Sequence, residues 1–259
     1  MVNFRFLEIM INLTEFYNKG YTISDNPIFT QTEIFSIKEK LDTIYNTQLE
    51  EFGKNKLSTI NEEGMIRSLL TYDSYFINLI TLNPIQTILQ QILGNYYILS
   101  LQNAIIVSPS KQHHQSFYHR DIIHQNFTSS KPLGVNVYFC LDDYTPDTGG
   151  TTFIPSSHKL DSFPSSFTEE TPIVKEGHVL FFDSMVYHKA GSNIGSDFRY
   201  GINHMYTLPF IKQQINFPYA LQGEYSQDFP LNRILGYHSR EFTSVADFRN
   251  YRYKRITNE

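Results

Sequence analysis

The sequence predicts a mainly β fold with α additions: a closed or two-sheet β architecture with helices packed outside it. Three observations carry that expectation. The first third of the chain repeats apolar residues at three- and four-residue steps, as amphipathic helices do. After Gly94 the texture changes to short apolar runs separated by turn residues. Within one run Val135, Val137 and Phe139 alternate with Asn136, Tyr138 and Cys140, a strand period of two.

The elements follow in order. From Thr32 to Phe52 the residues Ile34, Ile37, Leu41, Tyr45 and Leu49 form one stripe, which Ile44 widens. A second helical region is expected from Gly64 to Leu82. A third spans Pro84 to Leu93, with Pro84 suited to a helix start and Gly94 to its stop. Strands are expected over Tyr96 to Val107, Leu133 to Leu141, Thr151 to Ile154, His178 to Asp183 and Phe198 to Leu208. Asp142-Asp143, Pro146-Asp147 and Gly149-Gly150 mark turns. No internal repeat or low-complexity linker divides the chain. The expectation is one domain over 1–259: a helical part at about 1–94, a β core at about 95–210 and a C-terminal extension over 211–259.

Composition narrows the function classes. With 259 residues, 41% of them hydrophobic, the chain can bury a sizeable core. Its net charge of −5 argues against nucleic acid as a partner. The local basic run Arg249, Arg252, Lys254 and Arg255 reads as a solvated tail. Cys140 is the single cysteine, so no internal disulfide forms, and its apolar setting suggests an inert strand residue. No apolar stretch approaches the ~18 residues of a membrane span. The opening residues Met1 to Leu13 do not read as a signal peptide. A cytoplasmic location is therefore expected, and the Asn-x-Thr sequons at Asn12 and Asn126 read as chance matches.

The chemistry concentrates in Gln115-Ser116-Phe117-Tyr118-His119-Arg120-Asp121, answered by His188 and Arg199. His119 is the only histidine followed two places later by an acid. On a strand, positions i and i+2 share a face, so His119 and Asp121 can reach one metal together. His188, from a distant strand, would complete a two-His, one-carboxylate face. Such a face leaves three positions open on an octahedral ion and suits non-haem Fe(II) oxygenases. Arg199 offers a planar, permanently charged fork for a small dicarboxylate.

These pieces, with others in the same order, resemble the phytanoyl-CoA dioxygenase family of Fe(II)- and 2-oxoglutarate-dependent oxygenases. Phe16-Tyr17-Asn18-Lys19-Gly20-Tyr21 resembles the family's opening turn into its first strand. Leu141-Asp142-Asp143 comes next, followed by the run Thr148 to Lys159, which resembles its "G-x-x-x-x-I-P-G-S-H" stretch. Glu176 to Asp183 leads to His188-Lys189-Ala190-Gly191-Ser192-Asn193 and Arg199, and Leu231 to Gly236 resembles the closing segment. Tyr118 stands where the family often has Trp, and Ser156 where Gly is usual.

The resemblance implies a double-stranded β-helix, a cupin-like jelly roll flanked by the N-terminal helices. It implies Fe(II) on His119, Asp121 and His188, with O2 and 2-oxoglutarate as cosubstrates and Arg199 on the distal carboxylate of the latter. Gln115 and Thr151 match positions that help hold the cosubstrate, and both could equally be turn residues. Asn136 and Tyr138 could line the same cavity. His113 and His114 could flank the entrance, and His124 could touch substrate. His158 reads as a structural hydrogen-bonding residue, His178 occupies a turn, and His204 and His238 carry no signal. Because Asp121 is present, hydroxylation or a related oxidation of a small-molecule metabolite is expected, rather than halogenation. A cupin-like isomerase or epimerase, or a non-catalytic binding protein of the same fold, are the rival readings. Substrate and oligomeric state are open at this level.

Overall fold

The computed structural model describes residues 8–109, 115–122 and 126–257. Eight strands form two antiparallel sheets. They are β1 (Tyr21–Ile23), β2 (Met65–Arg67), β3 (Ile98–Val107), β4 (Gly134–Cys140), β5 (Thr151–Phe153), β6 (Val179–Asp183), β7 (His188–Ala190) and β8 (Arg199–Thr207). The major sheet has the order β1-β6-β4-β8-β3-β2, and β5 pairs with β7 in a minor sheet. Neighbours distant in sequence alternate across the major sheet, and the result is the double-stranded β-helix.

Period two explains why the major sheet is covered on both faces. Val135, Val137 and Phe139 of β4 point outward with Val179, Phe181 and Ile202. They join one buried cluster with Ile37 and Leu41 of the helix Gln31–Phe52 and with Ile85 and Leu89 of the helix Asn83–Leu93. Tyr138 and Cys140 point inward and meet Leu180, Phe182, Tyr144, Phe153 and Val186 in a second cluster between the sheets. Every residue of β4 is buried for that reason. Cys140 is buried there as a free thiol, which burial pushes up in pKa, consistent with an inert strand position.

The long helix begins at a capping box. Thr30 Oγ1 accepts from Glu33 N, and Glu33 Oε2 accepts from Thr30 N at 2.7 Å. Of the expected stripe, Ile34, Ile37, Leu41 and Ile44 are buried while Tyr45 and Leu49 are half-buried. Gly94 ends the later helix at φ 81°, a conformation open to glycine.

The expected helix from Gly64 to Leu82 is corrected. That segment is β2 followed by two 3-10 turns, Leu69–Thr71 and Ser74–Phe76, and a single helical turn, Ile77–Ile80. Tertiary contacts override the local pattern. Met65–Arg67 pair with Asn103–Ile105 of β3, and Leu70 N donates to Gln102 Oε1 at 2.7 Å. Ser68 adopts φ 52°, which no α-helix accommodates. A short helix, Leu13–Lys19, capped by Asn12 and closed by Gly20, precedes β1 where only the turn had been read. Leu231, Ile234 and Leu235 of the C-terminal extension join the outer cluster. The helix Val245–Thr257 buries none of its residues, and Arg249, Arg252, Lys254 and Arg255 are exposed. Among the described residues, no helix is long and apolar enough to cross a membrane.

Candidate metal centre and active site

The site lies between the sheets, where the minor sheet meets the inner ends of β4, β6 and β8. His119 and Asp121 were expected on a strand. They sit instead on an irregular extended segment joined to β7 by a single bridge, His119 opposite His188. His119 N donates to His188 O at 3.0 Å and His188 N returns a bond at 3.1 Å. Asp121 N donates to Ser184 O at 3.1 Å, which ties the carboxylate-bearing residue to the end of β6. One bridge is enough to keep the alternation. His119 and Asp121 face the cavity. Arg120, between them, points away, donating Nη2 to Ser157 O at 2.9 Å and stacking on Tyr187.

The two imidazoles have their tautomers assigned by their partners. His119 Nδ1 lies 2.9 Å from Phe117 O, and His188 Nδ1 lies 3.0 Å from Val186 O. A carbonyl only accepts, so each Nδ1 carries the hydrogen, and in the neutral ring Nε2 is the nitrogen that presents a lone pair. Burial lowers the pKa of His188 and favours its neutral ring, with the Asp121 charge pulling the other way. His119 Nε2 lies 3.8 Å from Asp121 Oδ1 and His188 Nε2 3.7 Å from Asp121 Oδ2. The candidate ligand atoms of His119, Asp121 and His188 all fall within 4.8 Å of one another, so one ion can touch all three.

Arg199 opens β8 and is buried on the same cavity. Its guanidinium lies 4.1 Å from the centroid of the Tyr144 ring, and Nη1 donates to Gly149 O. Gln115, Thr151 and Tyr138 line the cavity too, as do Phe182, Ile105 and Asn203. Asn136 does not line it. It is buried behind Asp121 and donates Nδ2 to Asp121 Oδ2 at 2.7 Å. His113, His114 and His124 lie outside the described residues. His158 Nε2 meets Tyr17 O at 3.2 Å, the structural role expected. His204 is buried under the outer face of the major sheet, where it contacts Gln102. A roomier groove of about 540 Å³ lies by Tyr96, Phe229 and Arg233, remote from the triad.

The residues fit a divalent iron. Three that line the same cavity each carry a buried polar atom without a partner among the described residues: His119 Nε2, Arg199 Nε and Asn203 Oδ1. An unpaired buried polar atom is costly, and three around one small space mark a place built for a polar occupant. The donor set, two imidazoles and a carboxylate, is that of the iron facial triad. Asn203 escaped the sequence reading, although its offset of four from Arg199 on a strand places it on the same face.

Fold and candidate ligand set together fit a jelly-roll metalloenzyme of the two-His, one-carboxylate type. The sequence profile of the phytanoyl-CoA dioxygenase (PhyH) family matches residues 16–201, well over half of the chain. The chain belongs to the phytanoyl-CoA dioxygenase family and is thereby an enzyme of the 2-oxoglutarate-dependent oxygenase class. It is 27% identical over 238 residues to the uncharacterized protein Rv1501 of Mycobacterium tuberculosis, covering 88% of this chain and 87% of that one. EctD from S. alaskensis, solved with 2-oxoglutarate and 5-hydroxyectoine, superposes with a TM-score of 0.63 at 16% identity, over 75% of this chain and 74% of that one. HygX from Streptomyces hygroscopicus, solved with nickel and 2-oxoglutarate, gives 0.59 at 16% identity, over 80% and 89%. At these identities the two structures speak for the fold.

Proposed function

We propose that the protein hydroxylates a small-molecule metabolite at an unactivated C–H bond, using Fe(II), 2-oxoglutarate and O2 and releasing succinate and CO2. The observation that supports this most directly is the convergence of two imidazole lone pairs and one carboxylate on a single point. In this reading His119, Asp121 and His188 hold the metal, and the chain acts as one catalytic unit.

Bound iron with its cosubstrates supplies the oxidising power for C–H cleavage. The rest is the work of this chain's residues. The carbonyls of Phe117 and Val186 hold the imidazoles in register. Arg199 binds the far carboxylate of 2-oxoglutarate, with its plane set by stacking on Tyr144. Thr151 and Gln115 lie within reach of the same cosubstrate. Phe182 and Ile105 keep the cavity wall apolar and limit water.

The test is an anaerobic titration of the apoprotein with Fe(II) and 2-oxoglutarate, reading the visible charge-transfer band of the chelate. The band is expected in the parent, absent in Asp121→Ala and weakened in Arg199→Ala. No band from a folded, metal-loaded parent overturns the oxygenase reading.

A further inference from the structure

Asn203 and Asn136 form a chain of amides that ends on a metal-ligating carboxylate. Asn136 Nδ2 donates to Asp121 Oδ2 at 2.7 Å and to Ser184 Oγ at 3.1 Å. Its Oδ1 accepts from Asn203 Nδ2 at 3.0 Å. Asn136 is fully buried, so each end of its amide has a consequence. Turned over, it would set Oδ1 against the Asp121 carboxylate, acceptor against acceptor. The N–H of Asn203 stands on the side that prevents this. Asn203 itself lines the cavity, and its Oδ1 is buried without a partner among the described residues.

We propose that Asn203 is a positioning residue that fixes the direction of the Asn136 amide and, through it, the orientation of the Asp121 carboxylate. The proposal rests on the metal-site reading above. Its chemical sense is denticity. With Oδ2 engaged by Asn136, Asp121 offers its other oxygen to the metal. A carboxylate held to one bond leaves open the coordination positions that the cosubstrates need. A carboxylate free to rotate can close one of them. The unpartnered Oδ1 of Asn203 extends the chain into the cavity, where an occupant with an O–H or N–H can complete it.

The test uses the full chain and reads metal affinity and Co(II) absorption, not turnover. Asn203→Asp places an acceptor where Asn136 Oδ1 needs a donor, which forces the Asn136 amide to turn. Fe(II) affinity, measured anaerobically against a chelator, is expected to fall by about tenfold or more. The Co(II) visible band of the variant is expected to change in intensity as the carboxylate changes its mode of binding. Charge alone predicts the opposite, since a carboxylate added near a cation site strengthens it.

Asn103→Asp is the control. It adds a carboxylate at the register partner of Asn203 on β3, where the side chain meets Gln214 and Arg67 and not Asn136. It is expected to bind Fe(II) as the parent does. If Asn203→Asp does not fold, Asn203→Ala decides by the same measurement, with an expected loss of about threefold for one hydrogen bond. Parental affinity and an unchanged Co(II) band in the folded variant overturn the proposal while the metal site stands. A folded parent that binds no Fe(II) overturns both.

Discussion

Replacing Gly201 with alanine tests how the cosubstrate end of the site is built. Gly201 lies on β8 between Arg199 and Asn203, on their face. A Cβ added there would overlap Tyr144 Oη, meet Tyr138 Cε1 at 2.5 Å and meet Tyr138 Oη at 2.9 Å. Neither ring has room to retreat, since both are packed in the inter-sheet cluster. The Tyr144 hydroxyl would lose its bonds to Tyr138 Oη and Tyr200 O, both 3.1 Å. Overpacking costs about 1–3 kcal/mol and the lost bonds roughly 1 kcal/mol more. For a chain of this length the melting temperature should fall by about 5–10 °C. The Tyr144 ring is also the platform under Arg199. Unseating it removes a contact of about 0.5–2 kcal/mol, which is roughly a 2- to 30-fold weaker 2-oxoglutarate affinity. Thermal melts and the charge-transfer titration read the two effects. Adding Tyr144→Phe removes the colliding hydroxyl and should recover part of both losses. A single variant that melts within about 1 °C of the parent and binds 2-oxoglutarate equally well refutes the reasoning.

Two further outcomes follow from burial and from binding. Burial raises the Asp183 carboxyl to about 7, against a value near 4 in an unfolded chain. Between those values the folded protein holds the extra proton, so this group's contribution to stability falls as pH rises from about 4 to 7. Asp183→Asn should remove that slope, with a ceiling of about 4 kcal/mol, and raise the melting temperature above pH 7; an unchanged profile between pH 5 and 8 counts against it. Fe(II) at about 100 times its dissociation constant should stabilise the protein by about 2.7 kcal/mol, and a chelator should reverse this in melts of the parent but not of Asp121→Ala.

What the sequence discloses divides by range. The stripe Ile34, Ile37, Leu41 and the alternation Val135 to Cys140 are local periodicities, and both survive in the structure. His119, Asp121, His188 and Arg199 are legible because ligand chemistry restricts residue types and spacing. The segment 64–82 is not, because its pairing partner, Asn103–Ile105, lies some forty residues on and overrides a pattern that is helical only in isolation. Asn136 shows the same limit at one residue. Its place on the inner face follows from period two. Its service to Asp121 depends on the register of β4 against β8, where Tyr138 faces Asn203 directly and Asn136 reaches Asn203 on the diagonal.

The backbones of the three candidate ligands are held by main-chain bonds. His119 and His188 exchange backbone bonds, Ala190 N donates to Gln115 O at 2.8 Å, and Asp121 N is held at Ser184 O. Each bond ties the motif to β7 or to the end of β6, and both faces of β6 are buried. Substitution of side chains in the loops that border the cavity therefore leaves the ligand backbone where it is. Such a scaffold separates two tasks. The ladder sets where an iron would sit, and the bordering residues are free to set what reaches it. Divergence to 16% identity from proteins of the same fold is what that separation permits.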